Sequence, residues 1–168
     1  MKRIFLVIAV ICLSGVVMFG QKSVKLAHVD VQAIFGLMPE KATATKEVED
    51  YAKTLEDQMQ IMYKEYETKA NDYKANQANW SDLIKQDKEQ EIMSLQQRIQ
   101  NFQQQAEADL ANRESALLEP IQNKIKDAIN AVASEQGITY VYDKTLLLYT
   151  SDDALDITSD VKAKLGIK

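Results

Sequence analysis

The chain has 168 residues, 25 acidic against 20 basic side chains, and a formal charge of −5 at pH 7. That balance gives no overall electrostatic reason to seek nucleic acid or anionic lipid. One cysteine, Cys12, excludes a disulfide framework, and one histidine, His28, cannot complete a zinc ligand set.

Residues 1–20 read as a secretory signal. Lys2 and Arg3 give a basic start, the apolar run IFLVIAVICL follows, and SGVVMFG leads into the rest of the chain. Cleavage is expected after Gly20, leaving Gln21 first and a single domain over 21–168. The competing reading is a retained anchor, since Ile4 to Gly20 spans 17 residues, the short end of what crosses a bilayer. Lipidation does not fit, because Cys12 lies inside the apolar run behind Ile11. Cleavage would leave 148 residues without cysteine, and 18 basic against 25 acidic side chains, a formal charge of −7.

The first block, Val24 to Phe35, begins with loose alternation and β-branched residues, which predicts a strand over Val24–Val31. Gly36 and Pro39 then punctuate the chain. From Glu40 to Glu119 there are 80 residues without glycine or proline, rich in Ala, Lys, Glu and Gln. Ala52, Leu55, Met59, Met62, Tyr66, Tyr73 and Trp80 follow heptad steps, and so do Ile92, Leu95, Ile99, Phe102 and Ala106. Leu110 and Leu117 continue the second seam after a four-residue step, like a stutter. Two helices with one narrow stripe each most simply pack on each other.

Between the seams lies ANWSDLI, Ala78 to Ile84. An asparagine (Asn76 or Asn79) can end a helix in the left-handed conformation, and Ser81 or Asp82 can cap the next one. The spacing predicts a helical-hairpin arm over about 40–119 with its tip near 76–83 and arms of about 40 residues, roughly 60 Å each. A continuous rod is the competing reading, and nothing local forbids it.

In the third block, Ile121, Ile125, Ala128, Ile129 and Val132 share a helical face that ends at Gly137, and Pro120 either opens that helix or kinks the incoming one. ITYVYD and LLLYT read as two strands, and Thr158 or Ser159 as the cap of a short helix that stops at Gly166. The fold class is thus α+β: a small β-containing body, residues 21–39 and about 120–168, with a long antiparallel coiled-coil arm. Strands at both ends of the chain meet only if the middle goes out and returns. Leu26, Val29, Val31, Ile138, Tyr140, Val141, Leu146 and Leu148 are the candidate body strand positions. Such a body buries little surface for its size, so their remaining apolar faces are expected to pair between subunits.

No catalytic residue, cofactor site or metal site is expected. His28 and Asp30 can share a strand face, but no second ligand completes a site, so a structural histidine is expected. Asp152, Asp153 and Asp156 lack the glycine and terminal glutamate of a calcium loop and read as a turn and a cap. No glycine-rich phosphate loop or nucleophile motif is present, and the glutamines from Gln96 to Gln105 read as a solvated face. Met59, Met62, Tyr66, Tyr73 and Trp80 either fill the hairpin interface or offer adaptable apolar contacts to a partner.

With this layout in place, several stretches resemble the Skp (OmpH-like) family of periplasmic chaperones. KLAHVDVQAIFGLMPE is similar to its first strand and turn, and LLEPIQNKIKDAINAVASEQGITYVYDK to its return helix and strand. LYTSDDALDITSDVKAKL is similar to its C-terminal segment, and WSDLIKQDKE to the polar end of its arms. The resemblance implies a homotrimer whose strands form the body and whose three arms enclose a cavity. It implies a periplasmic holdase that keeps unfolded outer-membrane β-barrel proteins from aggregating, without ATP. Members are often basic, which aids contact with lipopolysaccharide and membrane; this chain departs from that pattern, and no lipid-binding residue is carried over. The alternative function is a structural coiled-coil spacer or envelope-anchored protein that binds no client. An enzyme is a distant third, for want of convergent titratable groups.

Overall fold

A computed structural model describes residues 24–168. The expected signal segment and its cleavage point therefore lie outside the described residues. Among the described residues, no helix is long and apolar enough to cross a membrane.

The chain is mostly helical. Strand β1, Leu26–Val29, leads into helix α1, Val31–Leu37. The strand is shorter than the alternation predicts, and Val31 opens a helix rather than closing a strand. Asp30 is the cause: its carboxylate accepts from the Ala33 amide at 2.7 Å and caps α1. Gly36 sits inside α1 and breaks nothing. Pro39 occupies the first turn of helix α2, Pro39–Asn76, where its missing amide costs no hydrogen bond.

Helix α2 has 38 residues, about 57 Å at the usual rise. A single 3₁₀ turn, Gln77–Asn79, follows, then extended backbone at Trp80. Helix α3, Asp82–Glu135, starts at Ser81, whose hydroxyl accepts from the Ile84 amide at 3.4 Å. Asn76 keeps right-handed backbone, so the reversal does not use a left-handed asparagine. It uses the 3₁₀ turn and the serine cap.

Helix α3 runs for 54 residues and passes straight through Pro120. No separate helix begins there. The proline removes the amide that would bond the Ala116 carbonyl, a defect that normally breaks helices. Burial of Ile121, Ile125, Ala128 and Val132 immediately after it holds the helix to the body. Helix α3 ends in a Schellman arrangement: the Ile138 amide reaches the Ala133 carbonyl at 2.9 Å, the Gly137 amide reaches Ser134 at 3.2 Å, and Gly137 has φ of 63°.

Strand β2, Tyr140–Asp143, then pairs parallel to β1, with Leu26 opposite Tyr140 and Val29 opposite Asp143. The second strand expected from LLLYT is absent. The Asp143 carboxylate accepts from the Thr145 amide at 2.9 Å and hydroxyl at 2.8 Å, which turns the chain into a 3₁₀ helix at Lys144–Leu146. The other edge of β1 is met instead by the segment before the last helix. The His28 amide bonds the Leu155 carbonyl at 2.9 Å, and the Ile157 amide bonds the His28 carbonyl at 3.0 Å. Helix α4, Thr158–Leu165, follows and stops at Gly166 with φ of 73°. Thr158 is its first residue rather than its cap. The Thr158 hydroxyl accepts from the Asp30 amide at 2.9 Å, while Asp156 accepts from the Thr158 amide at 2.8 Å.

One core joins these pieces. Ala27, Val29, Ile34, Met38, Ile125, Ile157 and Val161 are buried together, so both ends of the chain and the end of α3 share one body. A second, separate cluster of Met62, Leu95 and Ile99 lies far out between α2 and α3.

Candidate functional site

Helices α2 and α3 lie side by side in opposite directions, and their cross-contacts form a ladder. Glu40 pairs with Lys124, Glu47 with Arg113 at 3.8 Å, and the Tyr51 hydroxyl with Asp109 at 3.4 Å. Gln96 donates to the Tyr66 hydroxyl at 2.9 Å, Lys69 pairs with Glu91 at 2.9 Å, and the Tyr73 hydroxyl donates to Glu89. Each step outward along α2 meets an earlier residue of α3. The product is a long arm that leaves the body at Pro39 and Pro120 and ends at Trp80.

Charge pairs cluster toward the tip. Glu91 receives both Lys69 and Lys88, the latter at 3.3 Å. The hydrogen bond from Lys69 holds the Glu91 carboxyl below its ordinary value, with help from Lys88, and the same bond raises Lys69. The Lys124 hydrogen bond lowers Glu40 where the arm joins the body. The Tyr73 phenol is raised by its bond to Glu89.

The five apolar arm candidates separate into two groups. Met62 is buried with Leu95 and Ile99, and Met59 and Tyr66 pack against that cluster. These three help to close the hairpin. Tyr73 and Trp80 form an edge-on pair with ring centres 5.9 Å apart, both half-buried beside the turn. The five do not converge on one pocket. Other arm residues expose more apolar surface: Ile61 and Met93 are 62% exposed and Leu83 is 78% exposed, with Tyr63 and Ile84 also open. Sequence reasoning passed over them, although their signal is simple: Ile61, Tyr63 and Met93 lie off the heptad stripe in polar helices.

In the body, Val29 is buried, Val31, Ile138 and Val141 pack against the core, and Leu26 and Tyr140 are exposed. Leu146 and Leu148 are exposed outside any strand. His28 is buried, and its Nε2 lies 3.3 Å from Asp156, not against Asp30. Burial works against the Asp156 charge, but the Thr158 hydrogen bonds, with His28 and Lys144 nearby, hold its carboxyl below the usual range. This histidine ties β1 to the C-terminal segment. No cluster of three metal-ligating side chains occurs among the described residues.

Comparison with known proteins follows this architecture. The profile of the family described as "Outer membrane protein (OmpH-like)" matches residues 25–165. The chain is 26% identical over 151 residues to "Chaperone protein Skp" of Pectobacterium atrosepticum, covering 88% of this chain and 91% of that one. It is 28% identical over 142 residues to "Chaperone protein Skp" of Escherichia coli K12, covering 84% and 86%. Among solved structures, an OmpH-like outer membrane chaperone from Caulobacter crescentus superposes with a TM-score of 0.72 at 12% identity, covering 83% of this chain and 82% of that one, which shows the shared fold. The chain belongs to the OmpH-like family of Skp chaperones, which is not a family of enzymes.

Proposed function

We propose that the protein is an ATP-independent periplasmic holdase that shelters unfolded outer-membrane β-barrel proteins between its arms. The observation that carries this reading is the match to Skp chaperones along nearly the whole described chain, body and arm together. The physics agrees. An unfolded client needs separation from other clients more than a tight pocket, and a long arm bearing scattered apolar side chains offers many weak contacts. Of Met59, Met62, Tyr66, Tyr73 and Trp80, the four that keep partial exposure are the proposed contacts, Tyr73 and Trp80 at the tip, while Met62 is buried in the hairpin. Export is supplied by the N-terminal segment.

We also infer a homotrimer. Two short strands make a marginal sheet alone. Leu26, Tyr140, Leu146 and Leu148 present apolar surface at that sheet and just beyond it. Paired between subunits, these positions would close one body from which coiled-coil arms project. The test dilutes a urea-unfolded barrel protein into buffer with stoichiometric trimer and follows light scattering. Aggregation is expected to be suppressed without nucleotide. Scattering equal to that of the client alone would leave only a structural spacer.

A further inference from the structure

The middle of the arm is underpacked. Buried residues hold its root (Ala44 and Ile121) and its outer part (Met62, Leu95 and Ile99), yet residues 45–61 and 100–120 contain none. The cause is in the side chains: Ala52 and Ala106 stand on the seam where bulkier residues fill it farther out. They leave a trough of about 440 Å³, walled by Leu55, Met59, Tyr63 and Leu110. An apolar trough on a helical pair is a binding surface only for an occupant that its rim accepts.

The lining is acidic: Glu56 and Glu107 are its two charged residues, and no lysine or arginine lines it. The helical stretches around it, residues 47–63 and 100–114, carry eight carboxylates against Lys53 and Arg113. Arg113 is already held by Glu47 at 3.8 Å and by the Tyr51 ring at 4.9 Å. Glu56 and Glu107 line the trough, one from each helix, with Gln60 and Gln103 beside them, and the Gln103 amide donates to Glu107 at 3.5 Å. A second copy of the arm would bring the same carboxylates and be repelled. A segment with acidic flanks would meet the same repulsion.

The geometry points to this trough as the docking site for short apolar client segments flanked by lysine or arginine. The apolar side chains fill the space that Ala52 and Ala106 leave, the basic flanks meet Glu56 and Glu107, and the Gln60 amide pairs with the segment's backbone. The inference rests on the holdase reading above and assigns it a client chemistry: this acidic chain selects basic-flanked segments.

The probes are three labelled peptides with one Leu-Val-Phe-Ile core, flanked by lysines, by glutamates or by serines, titrated into the protein by fluorescence anisotropy. The lysine-flanked peptide is expected to bind about tenfold more tightly than the glutamate-flanked one at low salt, with the difference shrinking in high salt. Glu56→Lys with Glu107→Lys is expected to invert the order, and Ala52→Leu with Ala106→Leu to weaken all three while circular dichroism stays helical. Flank-independent binding, or an order unchanged by the charge reversal, overturns the inference. If aggregation of the unfolded barrel protein is still suppressed in that case, the holdase reading stands and only the trough is wrong. If neither peptides nor barrel protein are held, both fail.

Discussion

Thr158 shows how much one hydroxyl does in this body. It accepts from the Asp30 amide and bonds Asp156, which in turn lies beside His28. Two segments far apart in sequence, 28–30 and 156–158, therefore meet at this side chain. Thr158→Val keeps the branched shape and removes the acceptor, leaving a part-buried amide unpaired. A loss of about 1–2 kcal/mol is expected from urea unfolding, with unchanged slope; an unchanged midpoint would mean that water replaces the hydroxyl. Trp80 differs, because it stands edge-on to Tyr73 at a turn and belongs to neither buried cluster. Trp80→Ala is expected to cost less than about 1 kcal/mol of global stability while weakening capture of unfolded client. Lost stability with capture per folded molecule intact would instead make the tryptophan a clasp for the hairpin.

At the scale of elements, the Lys69–Glu91–Lys88 group ties the outer arm, and its titration has a definite sign. Glu91 titrates below its ordinary 4.5 in the folded chain, so its contribution is complete above that value and fades as pH falls through the folded one. Lys69 is raised above 10.5, so its share is complete below that value and fades only as pH rises through the folded one. Thermal midpoints followed by circular dichroism are expected to hold level between these limits and fall in acid. Glu91→Gln should start lower at neutral pH and lose less on acidification, and salt should narrow the gap because the group is exposed. Parallel curves for the two proteins would show the pairs to be inert. The arm was legible in sequence for a related reason: two heptad stripes fail at one place, and Ser81 can cap there. The elements that misled were those decided by distant partners. Val31 is β-branched and suits a strand, but the Asp30 cap places it in a helix. Pro120 looks like a boundary, yet burial of Ile121 and Ile125 carries the helix through it. Leu146 to Thr150 look like a strand, but the Asp143 turn diverts them. The apolar surface of Ile61, Leu83 and Met93 fits neither stripe, so periodicity alone does not register it.

For the whole molecule, a body with one two-stranded sheet among the described residues carries an arm roughly 57 Å long. A single copy leaves Leu26, Tyr140, Tyr142, Leu146, Leu148 and Tyr149 open around the sheet, a patch of the kind that marks an interface. One arm alone also encloses nothing, so shelter of a client requires several arms on one base. Mass and shape in solution decide the matter. Light scattering with small-angle X-ray scattering is expected to give three times the chain mass and a particle with protruding arms. Leu148→Asp with Tyr140→Asp is expected to shift it to monomer, with helix content kept and client aggregation no longer prevented. A wild-type monomer that still holds client would place shelter on a single arm, and an elongated dimer would favour a spacer. The acidic net charge sharpens the expectation, because in the proposed trimer like-charged arms would resist collapse onto one another and keep the space between them open at low salt.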